Sequence, residues 1–170
     1  MKTLLLILAL ASPVFAEGKK FVITACASEI DPRTKEHPEI DYVFTRKGKP
    51  ADMQLACVDT RVKDSGYLVI WLMSPPKELF DRLNSYGHHA IQVTYPREWF
   101  AKMDKLRKEG DDNHFSGLRL EAATGTDQTP LIDIPEPDGL MERSYQFVKY
   151  LDEKNPEGNW KQFLSRDGKG

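Results

Sequence analysis

YLVIWLMSPPKELFDRLNSYGHHAIQVTY, residues 67–95, is the stretch whose reading decides the fold. Its opening, Tyr67 to Met73, is apolar throughout. A strand buried on both faces has that signature, as in a sheet covered by helices. Ser74-Pro75-Pro76 follows. Ser74 suits a helix cap, and Pro75 suits the first helical position, where a missing N–H costs nothing. Leu79, Phe80, Leu83 and Tyr86 then recur at helical spacing, and Gly87 suits the C-terminal cap. His88 to Tyr95, with Ala90, Ile91 and Val93, reads as a second strand. Together they span about 29 residues, the size of a βαβ unit, whose crossover is right-handed in nearly all cases.

Working outward, Phe21 to Cys26 is a short apolar, β-branched run. Asp31-Pro32 and His37-Pro38 mark residues 28–40 as a loop. Asp41 to Thr45 reads as a strand, Lys47-Gly48-Lys49-Pro50 as a turn, and Met53 to Val58 as an alternating strand. With the Asp64-Ser65-Gly66 turn after it, this opening predicts an antiparallel hairpin. Downstream, Trp99, Phe100, Met103 and Leu106 are spaced for a helix. Residues 110–129 are polar and irregular apart from Leu118 to Ala123, and read as an excursion over the sheet. Ile132 to Pro137 is extended, and Asp138 is a good N-cap. Leu140, Met141, Ser144, Phe147, Val148 and Leu151 then form a helix face. Asn155-Pro156-Glu157-Gly158 breaks it, and Asn159 suits the cap of a short final helix carrying Trp160, Phe163 and Leu164. The expected class is α/β: antiparallel opening strands, then parallel strands with flanking helices.

The 170 residues carry 24 basic and 26 acidic side chains, for a net charge of −2, and 40% are hydrophobic. That is ordinary globular composition, which excludes a disordered, collagen-like or Cys-dense chain. The charge balance supplies no basic excess for nucleic acid. At the N-terminus Lys2 precedes an apolar run, Thr3 to Ala11, and Val14-Phe15-Ala16 puts small residues before a cleavage point. We read residues 1–16 as a signal peptide cleaved after Ala16, and residues 17–170 as one exported domain, secreted or periplasmic. A membrane anchor needs about 20 apolar residues, and Glu17, Lys19 and Lys20 end this run too early. Ile23-Thr24-Ala25-Cys26 loosely resembles a lipoprotein cleavage box, but charges separate it from the apolar run. In an exported chain Cys26 and Cys57 are either a disulfide or two inert thiols packing as small hydrophobes.

The motifs of metal and nucleotide chemistry are missing: CxxC, HExxH, the P-loop and GxGxxG do not occur. His88 and His89 are adjacent on a strand, so their side chains point to opposite faces and do not share an ion. Asp152 to Asn159 fails the EF-hand spacing at Lys154 and Pro156. Arg46-Lys47-Gly48-Lys49 reads as a solvated turn. No metal and no cofactor are expected. A GxSxG sequence is also missing.

Tyr67–Met73, His88–Tyr95 and Pro137–Leu164, in this order, resemble the first half of an α/β-hydrolase fold, most of all a group of secreted bacterial α/β-hydrolase-like proteins. The resemblance makes Tyr67–Met73 the third strand, Pro76–Tyr86 the first large helix, His88–Tyr95 the fourth strand and Leu140–Leu151 the helix before the fifth. It implies a serine hydrolase of an ester or related acyl bond in a small-molecule substrate. In that family the nucleophile sits in a turn after the fifth strand, with acid and His later still. Gly170 falls where that strand is expected to begin. The domain is therefore expected to be C-terminally incomplete and inactive alone, with an apolar sheet edge left open. No catalytic residue carries over.

One functional element lies upstream, the loop after the third strand, where a backbone N–H helps bind an oxyanion. Met73 and Ser74 are the candidates, because Pro75 and Pro76 have no N–H and the His-Gly-Gly form is absent. Ser74 also reads as a plain helix cap. It cannot meet His88 or His89, since these begin the next parallel strand and about seven residues of strand span roughly 23 Å. His114, in the excursion, is a candidate for the pocket. The alternative is a complete small exported domain that binds a ligand or a protein without chemistry. The full set of caps and turns favours it; the apolar Trp160, Phe163 and Leu164 near the end, which need cover, count against it.

Overall fold

The computed structural model describes residues 17–36, 45–46, 49–50, 53–72, 77–93 and 112–165, with the backbone alone at 45–46, 49–50 and 112–114. The expected strand at 41–44 and helix at 99–106 lie outside the described residues, as do the cap position Ser74, the strand end at 94–95 and the leader at 1–16.

The sheet is built on an antiparallel pair. Strand β1 (Lys20–Cys26) runs against β4 (Met53–Asp59) in unbroken register from Lys20↔Asp59 to Cys26↔Met53. The opening is antiparallel as expected, with a different long pair. The long partner of Met53–Asp59 is the N-terminal strand, while β2 (Thr45–Arg46) and β3 (Lys49–Pro50) form a separate two-residue ladder. The physical reason is apolar matching: Phe21, Ile23 and Ala25 share a face with Ala56 and Val58, burial that the short polar ladder cannot offer.

Strand β5 (Leu68–Trp71), helix α2 (Lys77–Ser85) and strand β6 (His89–Gln92) form the βαβ unit, with β5 and β6 parallel. The sheet order is β1-β4-β6-β5, so the chain has a mixed four-stranded sheet with helices on both faces. This corrects the reading of Tyr67–Met73 as buried on both sides. Among the described residues β5 is an edge strand, and Ile70 and Leu72 keep 44% and 42% of their surface exposed. An apolar run alone does not distinguish a central strand from an edge strand.

One face of the sheet carries α2. Its Leu79, Phe80 and Leu83 pack on Leu55, Cys57, Ala90 and Trp71. Gly87 closes this helix at φ +74, and a Cβ there would stand 2.0 Å from the Lys63 carbonyl oxygen. The turn before β5 and the turn before β6 therefore touch backbone to backbone. The other face carries the long helix α4 (Leu140–Lys154), which sets Phe147, Val148 and Leu151 against Ala56, Val58, Ile91 and Val93. Trp160 is fully buried in the same cluster, so the apolar residues after the helix are covered by the sheet face.

Two local expectations are corrected, and a third holds in altered form. Residues 112–124 are helical (α3, Asp112–Thr124), not irregular. Asp138 does not cap α4: Gly139 is the N-cap, and the buried Asp138 pairs with the buried Arg143 one turn into the helix. Burying either charge alone would be costly, so the pair forms at the expense of the cap. Asn159 does stand at the N-cap of the expected short final helix, a 3-10 turn over Trp160–Phe163, but it does so in a left-handed conformation (φ 56) after the 3-10 turn Pro156–Gly158 and makes no side-chain cap bond.

Candidate functional site

The parallel pair β5–β6 defines where a site can form. From the carboxyl end of β5 the chain passes to α2 on one face. From the end of β6 it leads on to α3 and then to α4, on the other face. Neighbouring connections that leave to opposite faces open a crevice beyond the strand ends, the usual ligand position in α/β sheets. Near this end of β5, along its open side, Ile70 of β5, Leu72 just after it and Leu140, Met141 and Ser144 of α4 line an open cleft of about 210 Å³. Ser144 Oγ donates to the Leu140 carbonyl at 2.8 Å, so the cleft presents apolar walls.

The oxyanion candidates Met73 and Ser74 fall just past the described end of β5, outside the described residues. His114 is in the first turn of α3, and its side chain is likewise outside the described residues. The structure therefore brings none of the three into a described contact.

His88 and His89 stand at the amino end of β6, Leu68 lying opposite His89 in the register, and they do point to opposite faces. His88 Nδ1 lies 2.6 Å from Ser65 Oγ, which also donates to the Gly87 carbonyl at 3.0 Å and accepts from the Tyr67 N–H at 3.3 Å. A Ser–His contact invites a nucleophilic reading. However, among the described residues no carboxylate orients His88, and Ser65 is held as a turn residue joining two loops. His89 turns inward, with Nε2 2.7 Å from the Gly158 carbonyl and Nδ1 3.8 Å from Asp64. Both histidines are at the sheet end opposite the cleft.

Cys26 and Cys57 are not joined by a disulfide, which leaves the second alternative, two separate thiols. Cys57 lies opposite Val22 and Cys26 opposite Met53, four residues along the same ladder. That offset is about 13 Å, well beyond disulfide reach. Cys57 is buried, and its thiol donates to Asn84 Oδ1; burial pushes it up to about 11. Asn84 Nδ2 donates to the Cys57 and His88 carbonyls, so this one buried amide ties α2 to two strands. Cys57 is inert packing rather than a nucleophile.

Two further polar clusters had no signal in residue spacing. The buried Glu121 of α3 accepts the backbone N–H groups of Gln128, Thr129 and Ile134 at 3.0–3.1 Å, and so shapes the loop that leads to α4. Tyr150 on α4 donates to Glu29 at 2.7 Å beside an open depression of about 350 Å³ near α1 (Ala27–Ile30). Burial and the Glu29 carboxylate push Tyr150 up to about 12. Among the described residues no group of His, Cys, Asp and Glu is placed to hold a metal ion, and no helix is long and apolar enough to cross a membrane. The chain matches no family model, no curated protein and no solved structure.

Proposed function

We propose that this chain is the front part of an exported α/β-hydrolase-like protein, whose full-length form hydrolyses an ester or related acyl bond of a small molecule with a serine nucleophile. Residues 17–170 alone are catalytically silent in this reading, because they hold no Gly-x-Ser-x-Gly turn.

The observation that carries it is the open edge of β5 combined with the change of face. The crossover through α2 advances the chain from β5 to β6 on one face. A right-handed crossover through a helix on the other face must run in the opposite direction. Helix α4 occupies that other face. A parallel strand after α4 would therefore be carried from β6 past β5 to the free side of β5, over the apolar cleft at Ile70 and Leu72. In the fold that the sequence resembles, the turn leaving such a strand carries the nucleophile and meets the loop after the third strand, the loop to which Met73 and Ser74 belong in sequence, so that nucleophile and oxyanion donor come together.

The test is to read the frame downstream of the Gly170 codon and to measure the intact mass of the exported protein. An apolar strand followed by Gly-x-Ser-x-Gly within about twenty codons, together with hydrolysis of a p-nitrophenyl ester that is lost on Ser→Ala at that motif, is the expected result. A stop codon, matched by the mass of residues 17–170, would overturn the enzyme reading. A small exported domain that binds without chemistry would then replace it.

A further inference from the structure

Among the described residues the free side of β5 carries no partner strand, and its outward groups have a symmetry of their own. We propose that this edge is the contact of a two-fold dimer, in which β5 pairs antiparallel with β5 of a second copy and Ile70 faces Ile70. The dimer concerns this chain by itself and does not rest on the hydrolase-like reading. The backbone gives the register. The Tyr67 and Trp71 carbonyls accept from the His89 and Val93 N–H groups. Parallel pairing alternates, so Leu68 and Ile70 turn their N–H and C=O groups away from the sheet, and Leu72 is next in the alternation. This outward set is centred on Ile70. A second copy related by a two-fold axis there sets Ile70 against Ile70 and Leu68 against Leu72, so each outward group meets its complement.

The side chains of these residues share one face. Leu68 packs in the α4 cluster and Trp71 in the α2 cluster, so Leu68, Ile70 and Leu72 stand on the α4 side. The axis is perpendicular to the sheet, which keeps the α4 sides of both copies on one face. Ile70, Leu72 and Met141 of one copy then meet those of the other, and the apolar cleft closes. Charge favours a second copy over a charged partner. Leu68–Trp71 carries no charged side chain, and a net charge of −2 gives little self-repulsion. The opposite edge, β1, begins with Lys20, which guards it against such pairing. Helices α2 and α4 are centred on β4 and β6, so among the described residues neither covers the free side of β5. Area sets the strength. Tyr67, Ile70, Leu72 and Met141, each at least 42% exposed, lie along or beside this one edge. A short strand edge with Met141 beside it reaches the low end of specific interfaces, about 600 Å² per copy. The dimer is therefore weak and depends on concentration.

The test combines sedimentation with disulfide cross-linking. Sedimentation velocity of the chain from about 1 μM to about 1 mM should show a monomer–dimer equilibrium within that range. Cross-linking reads the register, in a Cys26→Ser background because Cys57 is buried. Ile70→Cys places two thiols across the axis, where paired Cα atoms stand about 5.5 Å apart. Leu72→Cys places them four residues apart along the strands, about 13 Å and out of reach. Both positions are partly exposed, so both variants should fold. Under mild oxidation Ile70→Cys should form the covalent dimer at least about tenfold faster than Leu72→Cys. A mixture of Leu68→Cys and Leu72→Cys chains should yield the mixed dimer. Two results overturn the proposal: a chain that stays monomeric throughout the range, as an edge kept for a different partner would leave it, or cross-linking with no preference for Ile70→Cys. Neither result touches the hydrolase-like reading, which the frame downstream of the Gly170 codon decides separately.

Discussion

Cys57 and Cys26 show how far side-chain chemistry depends on a single contact. Cys57 has an amide oxygen as acceptor and no access to solvent, whereas Cys26 is half-buried, with its sulfur 3.3 Å from that of Met53. Iodoacetamide should modify Cys26 in the folded chain and spare Cys57 until unfolding, and the intact mass without reductant should show both thiols. Equal labelling rates, or a mass short of two hydrogens, would contradict the structure. Tyr150 gives a pH-dependent counterpart. Its folded value, about 12, lies above the ordinary phenol value of about 10. A group raised in this way contributes stability that is intact below the unfolded value and is lost as pH climbs toward the folded one. The native chain should therefore lose more stability than Tyr150→Phe between pH 10 and pH 12 in denaturant titrations. Cys57 also ionises in that region but is common to both proteins, so the difference isolates the phenol. Parallel curves would show that the Tyr150–Glu29 contact does not form in solution.

At the level of elements, legibility followed how each segment earns its burial. Helix α4 was readable because Phe147, Val148 and Leu151 make a regular apolar face. The parallel unit was readable because two apolar runs flank a spaced helix. Helix α3 was not. Its buried face holds Leu118 and Ala122 together with Glu121, and a charge at a buried position cancels the periodic signal. What makes Glu121 tolerable is three backbone N–H groups, and no pattern of residues displays those. Asp138 misled in the same way, since its partner Arg143 decides its role. Glu121→Ala should cost about 3 kcal/mol, the scale of losing hydrogen bonds to a charged acceptor and leaving buried donors without a partner. Glu121→Gln should cost less, because an amide oxygen still accepts. Chemical denaturation measures both, and hydrogen exchange should accelerate at Gln128, Thr129 and Ile134 first. An unchanged midpoint for Glu121→Ala would mean that these loop residues bind their own partners without the carboxylate.

For the whole molecule the deciding feature is an edge. The Tyr67 and Trp71 carbonyls bond toward β6, so the backbone groups of Leu68 and Ile70 between them point away from the sheet. Soluble proteins ordinarily protect such a row with lysine, proline or a bulge, and Leu68–Trp71 has none of these. The candidate site was legible only as far as this edge implies, because strand order and the opposite faces of α2 and α4 are properties of the assembled sheet. Ile70→Lys separates the two readings of the edge. Ile70 is already 44% exposed, so the substitution should barely alter the stability of residues 17–170, and it should shift sedimentation from self-associated species toward monomer. In a longer chain that carries a further strand after α4, the proposed order makes Ile70 a central residue. There the same change buries a charge without a partner and should cost several kcal/mol. A destabilising effect confined to the longer chain would support the added strand beside β5. An effect of the same small size in both would mean that β5 remains an edge in the longer chain too, and the hydrolase-like reading of the sheet would fall with it.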